Sequence, residues 1–165
     1  MKYPLDRICV KSGVLCASCQ RKVESGTVRE DEIPVMRILM DLEEELKFLK
    51  KGEYVRSFRI SNQVIVMLRN GFEPGEISEL ERELSQKLGD RVKVVIETGD
   101  VKRLIEQLIA PASLIGVNQV WLPSGSEMLN VRVSKRDRRI LGRNKEEYEK
   151  LLSSLLGVET RIIFE

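Results

Sequence analysis

The chain has 165 residues, 42% of them hydrophobic, and carries 28 basic against 26 acidic side chains for a net charge of +2. That length allows one domain or two small ones, and that composition is globular rather than disordered. The balanced charge excludes a uniformly basic nucleic-acid binder, so local patches must decide, and the absence of histidine excludes His-based triads and dyads.

No stretch approaches the roughly 18 apolar residues of a membrane span. Met1-Lys2-Tyr3-Pro4-Leu5-Asp6-Arg7 lacks the apolar core of a signal peptide, so a cytoplasmic protein is expected. There is no Gly-rich phosphate loop and no dinucleotide fingerprint. Nothing converges on a catalytic constellation, and a non-enzymatic role is expected. One third of the residues are charged, a composition that suits ion-pair networks at high temperature.

Residues 1–26 hold all three cysteines, spaced Cys9-x6-Cys16-x2-Cys19. Two thiolates at Cys-x-x-Cys reach one tetrahedral metal from a tight turn. Asp6 stands three residues before Cys9, where a second such pair would place a ligand. Asp6, Cys9, Cys16 and Cys19 are therefore the candidate zinc ligands. Three reduced thiols without metal, or a Cys16–Cys19 or Cys9–Cys19 disulfide, are the competing readings. The apolar residues of this segment are scattered, and so short a piece cannot build its own core.

Thr27 to Lys51 reads as one long helix with Met36, Leu39, Leu42, Leu46 and Leu49 along one stripe. Pro34 belongs near its first turn, which starts the regular part around 31–33, and Gly52 ends it. Tyr54–Ile60 and Val64–Leu68 are strand-like, with Ser61-Asn62 as a hairpin signal. Asn70-Gly71 and Pro74-Gly75 break the chain. A helix over 78–88 and a strand over 91–97 follow.

The second half repeats that order. Asp100 caps a helix to Ile109, and Pro111 stops it. Ser113–Trp121 is a mostly apolar strand. Pro123-Ser124-Gly125 turns the chain into the alternating strand Met128–Ser134. A basic stretch over 135–145, a helix over 145–156 and a closing strand over 158–164 complete it. Val117, Val120 and the strand context make Trp121 a packed core residue or a domain contact rather than a base-stacking platform.

Leu88-Gly89-Asp90-Arg91-Val92-Lys93-Val94-Val95-Ile96-Glu97 returns without a gap as Leu156-Gly157-Val158-Glu159-Thr160-Arg161-Ile162-Ile163-Phe164-Glu165. Leu80, Leu84 and Leu88 map onto Tyr148, Leu152 and Leu156 at the same offset. One supersecondary unit used twice is the expected cause. With a short helix in the loop before the second helix, each unit is α-β-β-α-α-β. The expected fold class is α+β, each three-stranded sheet backed by helices on one face.

This order resembles two tandem type II KH domains, and it is similar to archaeal proteins related to the transcription factor NusA. The residues that carry the likeness are Cys16-Ala17-Ser18-Cys19-Gln20 with Gly26, Glu97-Thr98-Gly99-Asp100, Ala110-Pro111-Ala112, Val120-Trp121-Leu122-Pro123-Ser124-Gly125 and Ile162-Ile163-Phe164-Glu165. The resemblance implies a cysteine knuckle over 1–26 and KH-like domains over 27–98 and 99–165. It implies a four-cysteine site in relatives, where Asp6 here replaces one member. It also implies a cytoplasmic protein of the transcription machinery that binds single-stranded RNA in elongation or termination.

KH domains grip the nucleic-acid backbone at a GXXG loop before a helix. In the first unit that loop would be Gly75, Glu76, Ile77 and Ser78, with Glu73 and Glu79 beside it. In the second it would be Gly142, Arg143, Asn144 and Lys145, flanked by Lys135, Arg136, Arg138 and Arg139 against Asp137 alone. Each keeps only the first glycine, and the glycines alone also suit ordinary turns. The sign of the charge selects the second loop for RNA, unless the basic run is merely a solvated loop. The alternative is an adaptor whose decayed KH domains act on RNA polymerase or the ribosome.

Overall fold

A computed structural model describes residues 1–60 and 63–165; the Ser61-Asn62 hairpin signal lies outside the described residues. The protein is α+β with two three-stranded sheets. It divides into two compact units, Met1–Glu97 and Thr98–Glu165. Among the described residues no helix is long and apolar enough to cross a membrane.

The first unit begins with α1 (Arg7–Ser12) and α2 (Ala17–Glu24), continues through α3 (Ile33–Leu42) to β1 (Glu53–Ile60) and β2 (Gln63–Arg69), and closes with α4 (Pro74–Leu88) and β3 (Arg91–Ile96). β2 is central, antiparallel to β1 and parallel to β3. The core packs Met36, Leu39 and Leu42 of α3 and Leu80 and Leu84 of α4 against Val64, Val66 and Leu68. Each such fully buried side chain contributes about 2 kcal/mol. Met1, Leu5, Cys9, Val10 and Cys19 join the same cluster, so the cysteine segment borrows a core that it could not make.

The expected helix over Thr27–Lys51 is not continuous. A 3-10 turn over Glu30–Glu32 leads into α3, which ends at Leu42, and a second 3-10 turn spans Lys47–Lys51. Glu43-Glu44-Glu45 explains the break, because three carboxylates at a helix C-terminus oppose its dipole. Glu43 is instead drawn back onto the Met1 amino group and Arg7, whose Nη1 lies 2.6 Å from Oε2. Leu46 then turns extended and buried, so the apolar stripe persists although the helix does not.

Burial alone would raise the Glu43 carboxyl, but Arg7 and the Met1 ammonium outweigh it and hold it below its ordinary 4.5. A depressed carboxyl contributes stability that is present above the ordinary value and lost as pH falls through the folded one. Glu43→Gln is expected to cost about 3 kcal/mol at pH 7, since it leaves a buried charge unpaired. Urea denaturation should show that the gap to the native protein narrows once the pH drops below the carboxylate range. A gap of equal size at every pH would contradict this role.

The second unit comprises α5 (Val101–Ile109), β4 (Leu114–Trp121), β5 (Glu127–Val133), α6 (Arg138–Leu141), α7 (Lys145–Leu156) and β6 (Glu159–Phe164). Its sheet repeats the first: β5 is central, antiparallel to β4 and parallel to β6. Asp100 caps α5 by accepting the amides of Lys102 and Arg103. Leu104, Ile105 and Leu108 of α5, Tyr148 and Leu152 of α7, and Val131, Val133 and Ile162 of the sheet are buried.

The repeat extends beyond topology. Val94 pairs with Val66, and Ile162 with Val131. Leu84 and Leu152 are each fully buried. Gly89 and Gly157 end α4 and α7 with φ of 75° and 70°, a left-handed conformation open to glycine. The register shift between Tyr54 and Arg56 recurs between Leu114 and Gly116. Ser85 receives the Val92 amide at 3.1 Å, and Ser153 the Thr160 amide at 2.9 Å. Each serine also bonds its own helix, at Glu81 O and Glu149 O. These serines tie the second long helix of each unit to its last strand, a detail that hydrophobic periodicity could not reveal.

Candidate functional site

The N-terminal segment brings Asp6, Cys9, Cys16 and Cys19 together, their ligand atoms all within 4.8 Å of one another. Asp6 ends an extended stretch as the N-cap of α1, and Cys9 lies one turn into that helix. Cys16 is the N-cap of α2, and Cys19 faces inward from its first turn. Two helix starts thus aim four ligands at one point. All three thiols are free; Cys16 is exposed and the other two are buried.

Backbone amides serve each sulfur. Cys9 Sγ accepts the Cys16 N–H at 3.3 Å, Cys19 Sγ accepts the Asp6 N–H at 3.3 Å, and Cys16 Sγ accepts the Cys19 N–H at 3.5 Å. The Cys19 amide holds the Cys16 thiol below its ordinary value. Burial pushes the Cys19 thiol up to about 11, so its thiolate needs a cation. Cys16 Sγ stands 3.5 Å from Asp6 Oδ2. A tetrahedral ion with bonds of ~2.3 Å to sulfur and ~2.0 Å to carboxylate oxygen sets that edge at about 3.5 Å. The four residues therefore lie close enough to bind one metal ion.

The outer scaffold holds this arrangement. Arg7 is anchored on Glu43 and on Met1 O. Arg37 donates to Val10 O at 3.0 Å, and Lys22 to Pro4 O at 2.6 Å. Glu43 and Arg37 lie far from the cysteines in sequence, which hid their supporting role.

The proposed first-unit loop is corrected by the structure. Pro74 starts α4, so Gly75, Glu76, Ile77 and Ser78 are helical, and no short helix precedes them among the described residues. Glu73 and Glu76 close a capping box over this helix start, and Glu76 accepts the Glu73 amide at 2.9 Å. Lys51 pairs with Glu76 at 2.8 Å. The helix's own carboxylates take the place that a phosphate would need.

The second unit does hold a turn between two helices. Gly142–Asn144 forms a 3-10 turn joining α6 to α7, and Lys145 begins α7. Lys135, Arg136, Arg138, Arg139 and Arg143 are exposed and Lys145 is half-buried. Among the described residues none of these six cations forms an ion pair. The one acid of the stretch, Asp137, is turned away to accept the Ser113 amide at 2.7 Å. Arg138 lies over the Phe164 ring, 5.8 Å from its centroid. Glu146 and Glu147 occupy the first turn of α7 and bound the positive patch on that side.

The second unit carries the whole net charge: Met1–Glu97 has 17 basic and 17 acidic residues, Thr98–Glu165 has 11 and 9. Trp121 is not a core residue. It is 66% exposed, because β4 runs on to the hairpin tip where Leu122 and Ser126 close the turn.

No protein-family model and no curated protein matches this chain. Its fold is similar to the crystal structure of APE1850, with a TM-score of 0.55 at 20% identity over 79% of this chain and 96% of that one. At that identity the likeness is one of fold alone.

Proposed function

We infer that the protein is a single-stranded RNA-binding factor of the transcription machinery, built from two KH-like units and gripping RNA phosphates through the second. The observation that carries this reading is the cluster of cations over 135–145, none ion-paired among the described residues. Unpaired, solvated cations on one loop attract a polyanion and release its counterions. The Gly142–Asn144 turn between α6 and α7 supports the placement, since a KH-like unit presents RNA at a turn between helices. The duplicated topology supports a KH-like origin for both halves.

Zinc is the proposed occupant of the cysteine site. Three thiolates and Asp6 would hold it as a structural staple for residues 1–26. The acidic, self-capped start of α4 favours a second reading for the first unit, as an adaptor surface toward RNA polymerase or the ribosome. The test is RNA binding by the native chain and by an Arg136→Glu, Arg139→Glu, Arg143→Glu variant. Loss in the variant is expected, and equal binding would refute the assignment.

A further inference from the structure

The two units treat their outer edge strands differently. In the first, the chain covers β1. Lys2 donates to Gly52 O at 3.1 Å and accepts the Tyr54 amide at 2.8 Å. Further along, Glu32 accepts the Ser57 amide at 2.9 Å, and Arg29 donates to Ser57 O. β1 also carries Glu53, Arg56 and Arg59. Covering an edge and charging it both suppress pairing with another strand.

β4 is the equivalent edge of the second unit, and among the described residues it has neither device. The matching register shifts place Leu114 where Tyr54 stands and Val117 where Ser57 stands. The Leu122–Ser126 hydrogen bond sets the alternation along this antiparallel pair. Val117, Gln119 and Trp121 therefore turn their N–H and C=O groups away from β5. Among the described residues these groups have no partner. The strand reads Leu-Ile-Gly-Val-Asn-Gln-Val-Trp, without a charge or a proline, and not one of its residues is buried.

A groove of about 670 Å³ lies beside this edge, lined by Val117, Leu129 and Leu156, with Lys102, Glu127 and Arg132 as its charged residues. Trp121, the most exposed aromatic side chain near it, shares the Val117 face of β4.

We propose that β4 is a self-association edge: two copies of this chain pair their β4 strands antiparallel about Gln119, forming a continuous six-stranded sheet. The occupant is a second copy because the strand matches itself. With Gln119 on the two-fold axis, each outward-facing Val117 pairs with the outward-facing Trp121 of the other copy. Every outward N–H and C=O of the three residues then meets a partner, and no charges oppose. Trp121 of one copy reaches the groove beside Val117 of the other. One pairing thus accounts for the uncharged edge, the exposed Trp121 and the open groove. A single strand-to-strand contact is small, so the dimer is weak, dissociating in the micromolar range.

The test is light scattering of the reduced protein across a dilution series, with two variants. The native mass should rise from 18.9 kDa toward twice that value as concentration increases. Gln119→Pro removes an outward amide, which an edge strand tolerates, together with the exposed Gln119–Glu127 side-chain hydrogen bond, and should remain monomeric. Trp121→Lys, at an exposed position, should also remain monomeric because it removes the indole that fills the partner's groove. A native chain that stays monomeric at high concentration would overturn the proposal; the edge would then be left for a strand of another protein. Folded variants that dimerise as the native chain does would overturn it equally.

Discussion

Reversing Arg136, Arg139 and Arg143 to Glu should weaken single-stranded RNA binding by about 100-fold or more. Each is exposed and without an ion-pair partner among the described residues, so each is free to meet a phosphate. Losing three charge-assisted contacts at ~1 kcal/mol apiece accounts for that factor, and reversal adds repulsion. The fold should be unaffected. Arg138, which packs on Phe164, is left in place for that reason. The matching control is Glu79→Lys, at an exposed position of α4 beyond its capping box. It should raise affinity by general attraction without moving RNA away from the second unit. Fluorescence anisotropy with a labelled oligonucleotide reads both variants, and circular dichroism checks their folding.

The second large effect concerns the cysteines. Cys19→Ser should abolish stoichiometric zinc and open residues 1–26 to protease, while β1–β3 and the second unit remain folded. Cys19 is buried at 2% exposure among core residues, and its burial disfavours the bare thiolate. Removing it takes away a ligand and leaves a hydroxyl in an apolar place. Cys16→Ser changes an exposed ligand and should weaken zinc with less damage to packing. Asp6→Asn should weaken it least, since the amide oxygen keeps the geometry but not the charge. Structural zinc sites tie binding free energy to folding, so a chelator should reproduce the protease sensitivity of Cys19→Ser. Native protein that carries no zinc after growth in zinc-replete medium, with residues 1–26 still protected, would contradict the staple.

Much of this was legible in the sequence because period and repetition survive tertiary context. The alternation of Leu129, Val131 and Val133 placed β5, and the ten-residue echo of 88–97 in 156–165 announced the duplicated sheet. The clustering of Asp6, Cys9, Cys16 and Cys19 followed from spacing, since Cys-x-x-Cys and Asp-x-x-Cys each span one helical turn. Part of what failed was decided by contacts distant in sequence, and part by local capping. The stripe through Leu46 and Leu49 looked helical, yet Glu43 is captured by Met1 and Arg7. Gly75 resembled a loop residue, but Pro74 and the Glu73–Glu76 box favour a helix start there. Trp121 looked like core because strand patterning says nothing of where the covering helices end. The open edge of β4 emerged only when the covered edge of β1 stood beside it.

Phosphate capture by the 135–145 segment should appear in the salt dependence of RNA affinity. Engagement of about four phosphates predicts that log K falls against log salt with a slope near −3, and that the triple reversal lowers its magnitude by about 2. A native slope near zero, or a slope that the reversal leaves unchanged, would contradict the account.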